Sequence, residues 1–208
     1  MDKLKIEKLL DSEAIPYDLL LSADPNRDLV DKYLKEGECF VAKNKNSVIV
    51  GEYVLINKSD KIYEITNIAV YPKYQGKGYG KMLVLDAISR ARDCCATKIE
   101  IGTGNSSLSQ LALYQKCGFR IVGVYKNFFV NNYPEKIFEN GIQCVDKVML
   151  SINFISVMLP AGSLTNSPIG STIAQYLSCK SEFPSEPVTS CTPIGNDFST
   201  PIYLQIYV

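Results

Sequence analysis

Gln75-Gly76-Lys77-Gly78-Tyr79-Gly80-Lys81 joins two segments of different period, and the fold follows from how that junction is read. Before it, Ile62 to Tyr71 is dense in Ile, Val and Tyr and is stopped by Pro72, as a strand would be. After it, from Gly80 to Cys95, the period becomes helical. Val84, Ile88, Ala91 and Cys95, joined by Leu85, share one face, while Lys81, Asp86, Arg90 and Asp93 are free to face water. A glycine-dense turn that opens a helix aims several backbone N–H groups at one spot, and the helix dipole adds partial positive charge there, so the turn suits a pyrophosphate. Lys73, Lys77 and Lys81 add mobile positive charge. The other reading is a strand-to-helix turn whose glycines only relieve strain.

Counting separates this turn from two other phosphate motifs. A P-loop needs G-x-x-x-x-G-K-[ST], but Gly76 to Gly80-Lys81 is one residue short and is followed by Met82, which has no hydroxyl for a metal. A dinucleotide fingerprint needs G-x-G-x-x-G in the first strand–helix unit, whereas these glycines stand at 76, 78 and 80 and follow several strand-like runs.

Working outward, Cys39 to Lys43 and Ser47 to Ile56 read as strands joined by Asn44-Lys45-Asn46, and Asn57 to Lys61 reads as a polar turn into the strand at Ile62. Short links between these three imply an antiparallel meander. Further back, Glu13 to Leu21 and Asp24 to Leu34 read as helices, the second with Asp24 as N-cap, Pro25 at its first position and Gly37 as its stop. Lys98 to Gly102 is a short strand. Ser107-Leu108-Ser109-Gln110 is a capping-box pattern that starts a helix running to Cys117 and closed by Gly118. Phe119 to Tyr125 and Val145 to Ile152 complete the strands. The fold class is α/β (α+β), with a mixed, mostly antiparallel sheet flanked by helices.

With 208 residues the chain can bury a sizeable core. Its 22 basic and 22 acidic residues balance, which argues against a general nucleic-acid or anionic-membrane binder. Histidine is absent, which removes the Ser-His-Asp triad, the Cys-His dyad and most zinc sites, so no metal is expected. Acid–base chemistry falls to Glu, Asp, Tyr, Cys or Lys. The seven cysteines show no C-x-x-C spacing and read as reduced thiols. No apolar leader or 18-residue apolar run is present, so a cytoplasmic soluble protein is expected. Beyond Phe154 the charged residues are only Lys180, Glu182, Glu186 and Asp197, yet six of the ten prolines lie there. The working domain is therefore taken as residues 1–154, and 155–208 as a low-charge Ser/Thr/Pro-rich extension with little regular structure expected.

Gln75-Gly76-Lys77-Gly78-Tyr79-Gly80 resembles the acetyl-CoA pyrophosphate loop of the Gcn5-related N-acetyltransferases. Ile68-Ala69-Val70-Tyr71-Pro72 is similar to that family's fourth strand, and Leu113 to Phe119 resembles its late helix with the Gly-Phe ending. The three occur in the family's order over about residues 1–152. Gly102 to Ser107 and Phe128 to Glu135 are further similar to segments of small bacterial acetyltransferases, which end near residue 152, so the resemblance does not reach the extension. It implies acetyl-CoA as acyl donor, a V-shaped splay between strands four and five, direct transfer to an amine without a covalent enzyme intermediate, and no metal. A homodimer is compatible with it.

The resemblance also assigns roles. The pantetheine arm pairs with backbone around Ile68, Ala69 and Val70, with the Ile68 N–H as donor to the thioester carbonyl. Gln75, Gly76, Lys77, Gly78, Tyr79, Gly80 and Lys81 hold the diphosphate. Glu64 is placed as general base, its pKa raised by partial burial, or else is an ordinary polar residue on a half-exposed strand. Tyr114 is placed to protonate the departing sulfur, or else packs with Leu108 and Leu111 in the core. Asn105 hydrogen-bonds the pantetheine amide or caps a turn. Cys117 is read as packing, since no histidine is present to activate it. Glu135, Glu139 and Asp146, with Tyr133 and Phe128, form either an acidic, aromatic rim that attracts a small cationic amine or a solvated loop. A protein N-terminus or lysine is the second acceptor class, and an acyl-CoA-binding module without turnover is the alternative of another kind.

Overall fold

A computed structural model describes residues 4–154; the expected extension at 155–208 lies outside the described residues. The chain runs β1 (Lys5–Lys8), α1 (Tyr17–Ala23), α2 (Arg27–Glu36), β2 (Gly37–Lys43), β3 (Ile49–Ser59), β4 (Ile62–Val70), α3 (Tyr79–Asp93), β5 (Lys98–Gly104), α4 (Leu108–Lys116), β6 (Arg120–Tyr125), α5 (Phe128–Asn132), β7 (Phe138–Glu139), β8 (Ile142–Gln143) and β9 (Lys147–Asn153). Seven strands form one sheet in the order β1-β2-β3-β4-β5-β9-β6, and β7 with β8 forms a separate hairpin. Every pairing is antiparallel except β4 with β5. The expected meander is β2-β3-β4.

Alternation along the strands divides the core between the two faces. Phe40, Tyr53, Leu55, Ile65, Ile68, Ile99, Ile101 and Leu150 meet Leu83, Val84, Ala87 of α3 and Tyr114 of α4 on one face. Cys39, Val41, Val54 and Ile56 meet Leu20 of α1 and Val30 and Tyr33 of α2 on the other. Two local features then open the sheet. Val54 pairs with Asn67 and Leu55 with Ile65, so Thr66 is an extra residue in β4. Such a bulge bends the strand that carries it. The parallel ladder between β4 and β5 ends at Ile65 and Ile101, although β4 continues to Val70 and β5 to Gly104. The two strands therefore part immediately after the bulge, which is the expected splay.

Several elements differ from the sequence reading. α1 begins at Tyr17, because Pro16 excludes the α-helical region for Ile15 before it. Asp24 is the C-cap of α1 and fully buried, and the N-cap of α2 is Asn26, whose side chain accepts from the N–H groups of Asp28 and Leu29. Leu85 is 44% exposed and Cys95 lies past the end of α3 with φ 56°, so the buried stripe runs through Tyr79, Leu83, Val84, Ala87, Ile88 and Ala91. The capping box at Ser107 does not form: Ser107 Oγ donates to Glu139 Oε2 at 2.5 Å and Gln110 Oε1 accepts from Ser109. Two elements have no counterpart in the reading. β1 is too short and charged to show a period; the β7–β8 hairpin turns through Asn140 (φ 53°) and Gly141 (φ 72°), a pair that signals such a turn.

Candidate active site

Gly76 and Gly78 have φ of 72° and 80°, a region costly for residues with a Cβ, so here the glycines are required by the path of the chain. Gly78 is the N-cap of α3 and offers no side-chain cap. The first donor used inside the helix is Met82 N–H, which bonds the Gly78 carbonyl at 3.2 Å, so the N–H groups of Tyr79, Gly80 and Lys81 precede the intrahelical ladder. They open onto a pocket of about 150 Å³ lined by Val70, Gln75, Gly76, Gly78, Tyr79, Gly80, Lys81 and Leu113. Two of the expected ligands contribute differently from their neighbours. The Gln75 side chain donates to the Val70 carbonyl at 2.9 Å and ties the loop to the end of β4, and the Tyr79 ring is core, leaving the backbone of both to the pocket. Lys77 is exposed, with its ammonium 5.5 Å from the Tyr74 ring centroid, and Lys81 is exposed at the helix start.

Ile68, Ala69 and Val70 are buried and lie on β4 beyond the point where β5 leaves it. Among the described residues the backbone polar groups on that side have no strand neighbour, so an extended ligand fits there as an added strand. Pocket and gap together form one continuous cradle: N–H groups at a helix start, then an open strand edge. This fits the diphosphate and pantetheine of a coenzyme A thioester. Among the described residues no group of His, Cys, Asp or Glu is placed to hold a metal.

Tyr114 and Glu64 lie on opposite faces of the sheet, Glu64 on the β4–β5 ladder just before the gap and Tyr114 on α4 next to Leu113 of the pocket. Tyr114 is fully buried on the α3–α4 face, with Phe119 edge-on at 6.3 Å. Burial, and then the charges of Cys117 and Glu139, push its phenol above the ordinary value, so it is a neutral donor. Glu64 pairs across the sheet with Ile56 and Glu100, which sets it on the α1–α2 face. It is buried rather than half-exposed. Lys58 Nζ stands 2.8 Å from its Oε2 and Lys147 Nζ 3.8 Å from its Oε1. The sequence reading considered burial alone, and the structure adds two cations.

Asn105 serves the chain itself. Its Oδ1 accepts from the N–H groups of Val145 (2.7 Å) and Asp146 (2.9 Å), and its Nδ2 donates to the Gln143 carbonyl. This is the turn role, and it clamps the end of β5 to the start of β9. The acidic rim is largely taken up in the same way. Glu139 is partly buried on Ser106 and Ser107, Asp146 accepts from the Asn127 N–H, and only Glu135 is exposed. Phe128 and Tyr133 belong to a small cluster around Phe129 and Cys144. Burial, and then the charge of Asp24, push the Tyr133 phenol up. Burial raises the Cys117 thiol, in keeping with packing.

Lys147 and Lys58 escaped the sequence reading. Each is one lysine in or beside a strand, and only the register of four strands brings them to Glu64.

Residues 6–119 match the Acetyltransferase (GNAT) family model. The uncharacterized N-acetyltransferase YvbK of Bacillus subtilis (strain 168) is 52% identical over 153 residues, which are 74% of this chain and 98% of that protein. Among solved structures, a GNAT family acetyltransferase from Elizabethkingia anophelis with acetyl-CoA bound superposes with a TM-score of 0.72 at 48% identity. A Bacillus subtilis acetyltransferase in complex with CoA gives 0.71 at 52%. Both comparisons cover 74% of this chain and all of the other.

Proposed function

The chain belongs to the acetyltransferase (GNAT) family, and from that membership we propose that it transfers an acetyl group from acetyl-CoA to the primary amine of a small molecule by direct attack in a ternary complex. The observation that carries this reading is the parting of β4 from β5 with Tyr114 on one face of the sheet and Glu64 on the other. A donor seated from the α3 face then presents its acyl carbon to an amine arriving on the α1–α2 face. Acetyl-CoA, when bound, supplies the acetyl group as an activated thioester.

The chain's own groups divide the work. N–H groups at the start of α3, with Lys77 and Lys81, receive the diphosphate. The edge of β4 from Ile68 to Val70 aligns the pantetheine, and the Ile68 N–H polarises the thioester carbonyl, a kind of donor worth roughly 3 kcal/mol. Tyr114 hydrogen-bonds the departing sulfur. A phenol held above its ordinary value of about 10 keeps its proton against a thiolate, whose acid has a pKa of about 8.5, so it stabilises the leaving group chiefly as a donor. Glu64 is the proposed acceptor of the proton that the ammonium must lose before it attacks. The enzyme is placed in the cytoplasm, in keeping with the free thiols of Cys39, Cys94, Cys95, Cys117 and Cys144. For the homodimer, β6, one of the two sheet edges among the described residues, offers exposed Ile121, Val122, Val124 and Tyr125.

Thiol release across a panel of small amines, with mass detection of the product, tests the reading. Acceptor-dependent release is expected. Tight acetyl-CoA binding without release from any amine would instead establish an acyl-CoA-binding module.

A further inference from the structure

Lys147 pairs with Gly104 at the head of β9, and its side chain crosses Gly102 on the face that carries Glu64. A Cβ built on Gly102 would lie 2.1 Å from Lys147 Cε and 3.1 Å from its Nζ, so the glycine is what admits the lysine to the gap. The side chain is only 6% exposed, and burial holds its ammonium below the ordinary lysine value, helped by the charge of Lys58, while Glu64, and then Asp24 and Glu100, act in the opposite direction. Among the described residues no carboxylate stands within hydrogen-bond distance of its ammonium. Glu64 Oε1 is 3.8 Å away, beyond hydrogen-bond reach, and the other oxygen of Glu64 is held by Lys58 at 2.8 Å. The Phe128 ring lies 5.2 Å from Nζ, and in the same cluster the buried Tyr133 hydroxyl has no hydrogen-bond partner among the described residues. A buried cation with a long ion pair, packed on a cluster that holds an unused hydroxyl, forms an incomplete anion site.

We propose that the acceptor is an amine bearing a carboxylate on the neighbouring carbon, a 2-amino acid or a close analogue, with Lys147 binding the carboxylate and Glu64 facing the ammonium. This rests on the acetyltransferase reading of the same site. Lys147 and Glu64 present a positive and a negative pole side by side, and a 2-amino acid carries the two opposite poles one carbon apart, so it docks head to tail against them. The Tyr133 hydroxyl supplies a second donor to the carboxylate. A protein lysine, a polyamine or an amino sugar offers the ammonium but brings no anion within hydrogen-bond distance of Lys147.

Matched triples test this: L-phenylalanine, its carboxamide and 2-phenylethylamine, with the same sets built on leucine, methionine and glutamine. Each is assayed for thiol release and acetylated product with the full chain. In at least one triple the free acid should lead in kcat/KM by roughly tenfold or more, the worth of a charge-assisted contact. Lys147→Met should erase that lead by raising KM for the acid while acetyl-CoA affinity by calorimetry stays the same, and Lys147→Arg should restore part of it. Carboxamide or bare amine equal to the acid in every triple, or a lead that survives in Lys147→Met, overturns the proposal and leaves the acetyltransferase reading standing. Acetyl-CoA binding with no release from any member overturns both.

Discussion

Tyr114 and Glu52 show how burial decides what a titratable side chain can do. Tyr114, fully buried on α4, is a donor whose removal leaves the cradle residues in place. Tyr114→Phe is expected to lower kcat roughly tenfold or more, with acetyl-CoA affinity unchanged by calorimetry; an unaltered kcat would remove Tyr114 from the chemistry. Glu52 on β3 faces Val41 and Ala69 in the α1–α2 core and is fully buried. Burial pushes its pKa well above the ordinary value of about 4.3, outweighing the opposite influence of the Ala69 backbone. Above that ordinary value the unfolded chain loses this proton while the folded chain keeps it, so stability falls as pH rises through the interval between the two pKa values. Glu52→Gln should therefore raise the melting temperature near pH 8 and change it little near pH 4. Melting curves across that range would contradict this if the difference did not depend on pH.

The cradle and the splay belong to the scale of elements. The turn at residues 75–81 and the period of α3 were legible because a positive-φ glycine pair and a helical stripe are local properties of the chain. Gly78→Asp makes a clean test of the cradle. Aspartate tolerates the left-handed region better than most residues and is a good N-cap, so the fold should persist. Its carboxylate would face the diphosphate. Loss of measurable acetyl-CoA affinity at an unchanged melting temperature is expected, and retained affinity would remove the turn from the binding site. The start of α2 was less legible, because Asp24 and Asn26 are both good caps and only the burial of Asp24 behind α1 decides between them. The β7–β8 hairpin carries a readable Asn-Gly signal, but its consequence, the capture of Glu139 by Ser106 and Ser107, is a contact over more than thirty residues.

For the whole molecule, the working domain is expected to fold and function without the extension. Both core clusters are built from residues within 4–154, and 74% of this chain spans the full length of two solved relatives. A chain ending at Phe154 should bind acetyl-CoA and turn over amines as the full chain does. Insolubility or lost turnover would show that residues 155–208 complete the domain. The sequence by itself determined the order of strand, glycine turn and helix, because these depend on backbone geometry set by neighbouring residues, and the resemblance of its motifs implied the family and the acyl donor. It also excluded histidine chemistry by composition. Only the tertiary structure decided the acceptor side. Lys58, Glu64, Gly102 and Lys147 come from four strands, and their meeting depends on strand register, which places distant charges within a few ångström of one another, Glu64 and Lys147 out of reach of solvent.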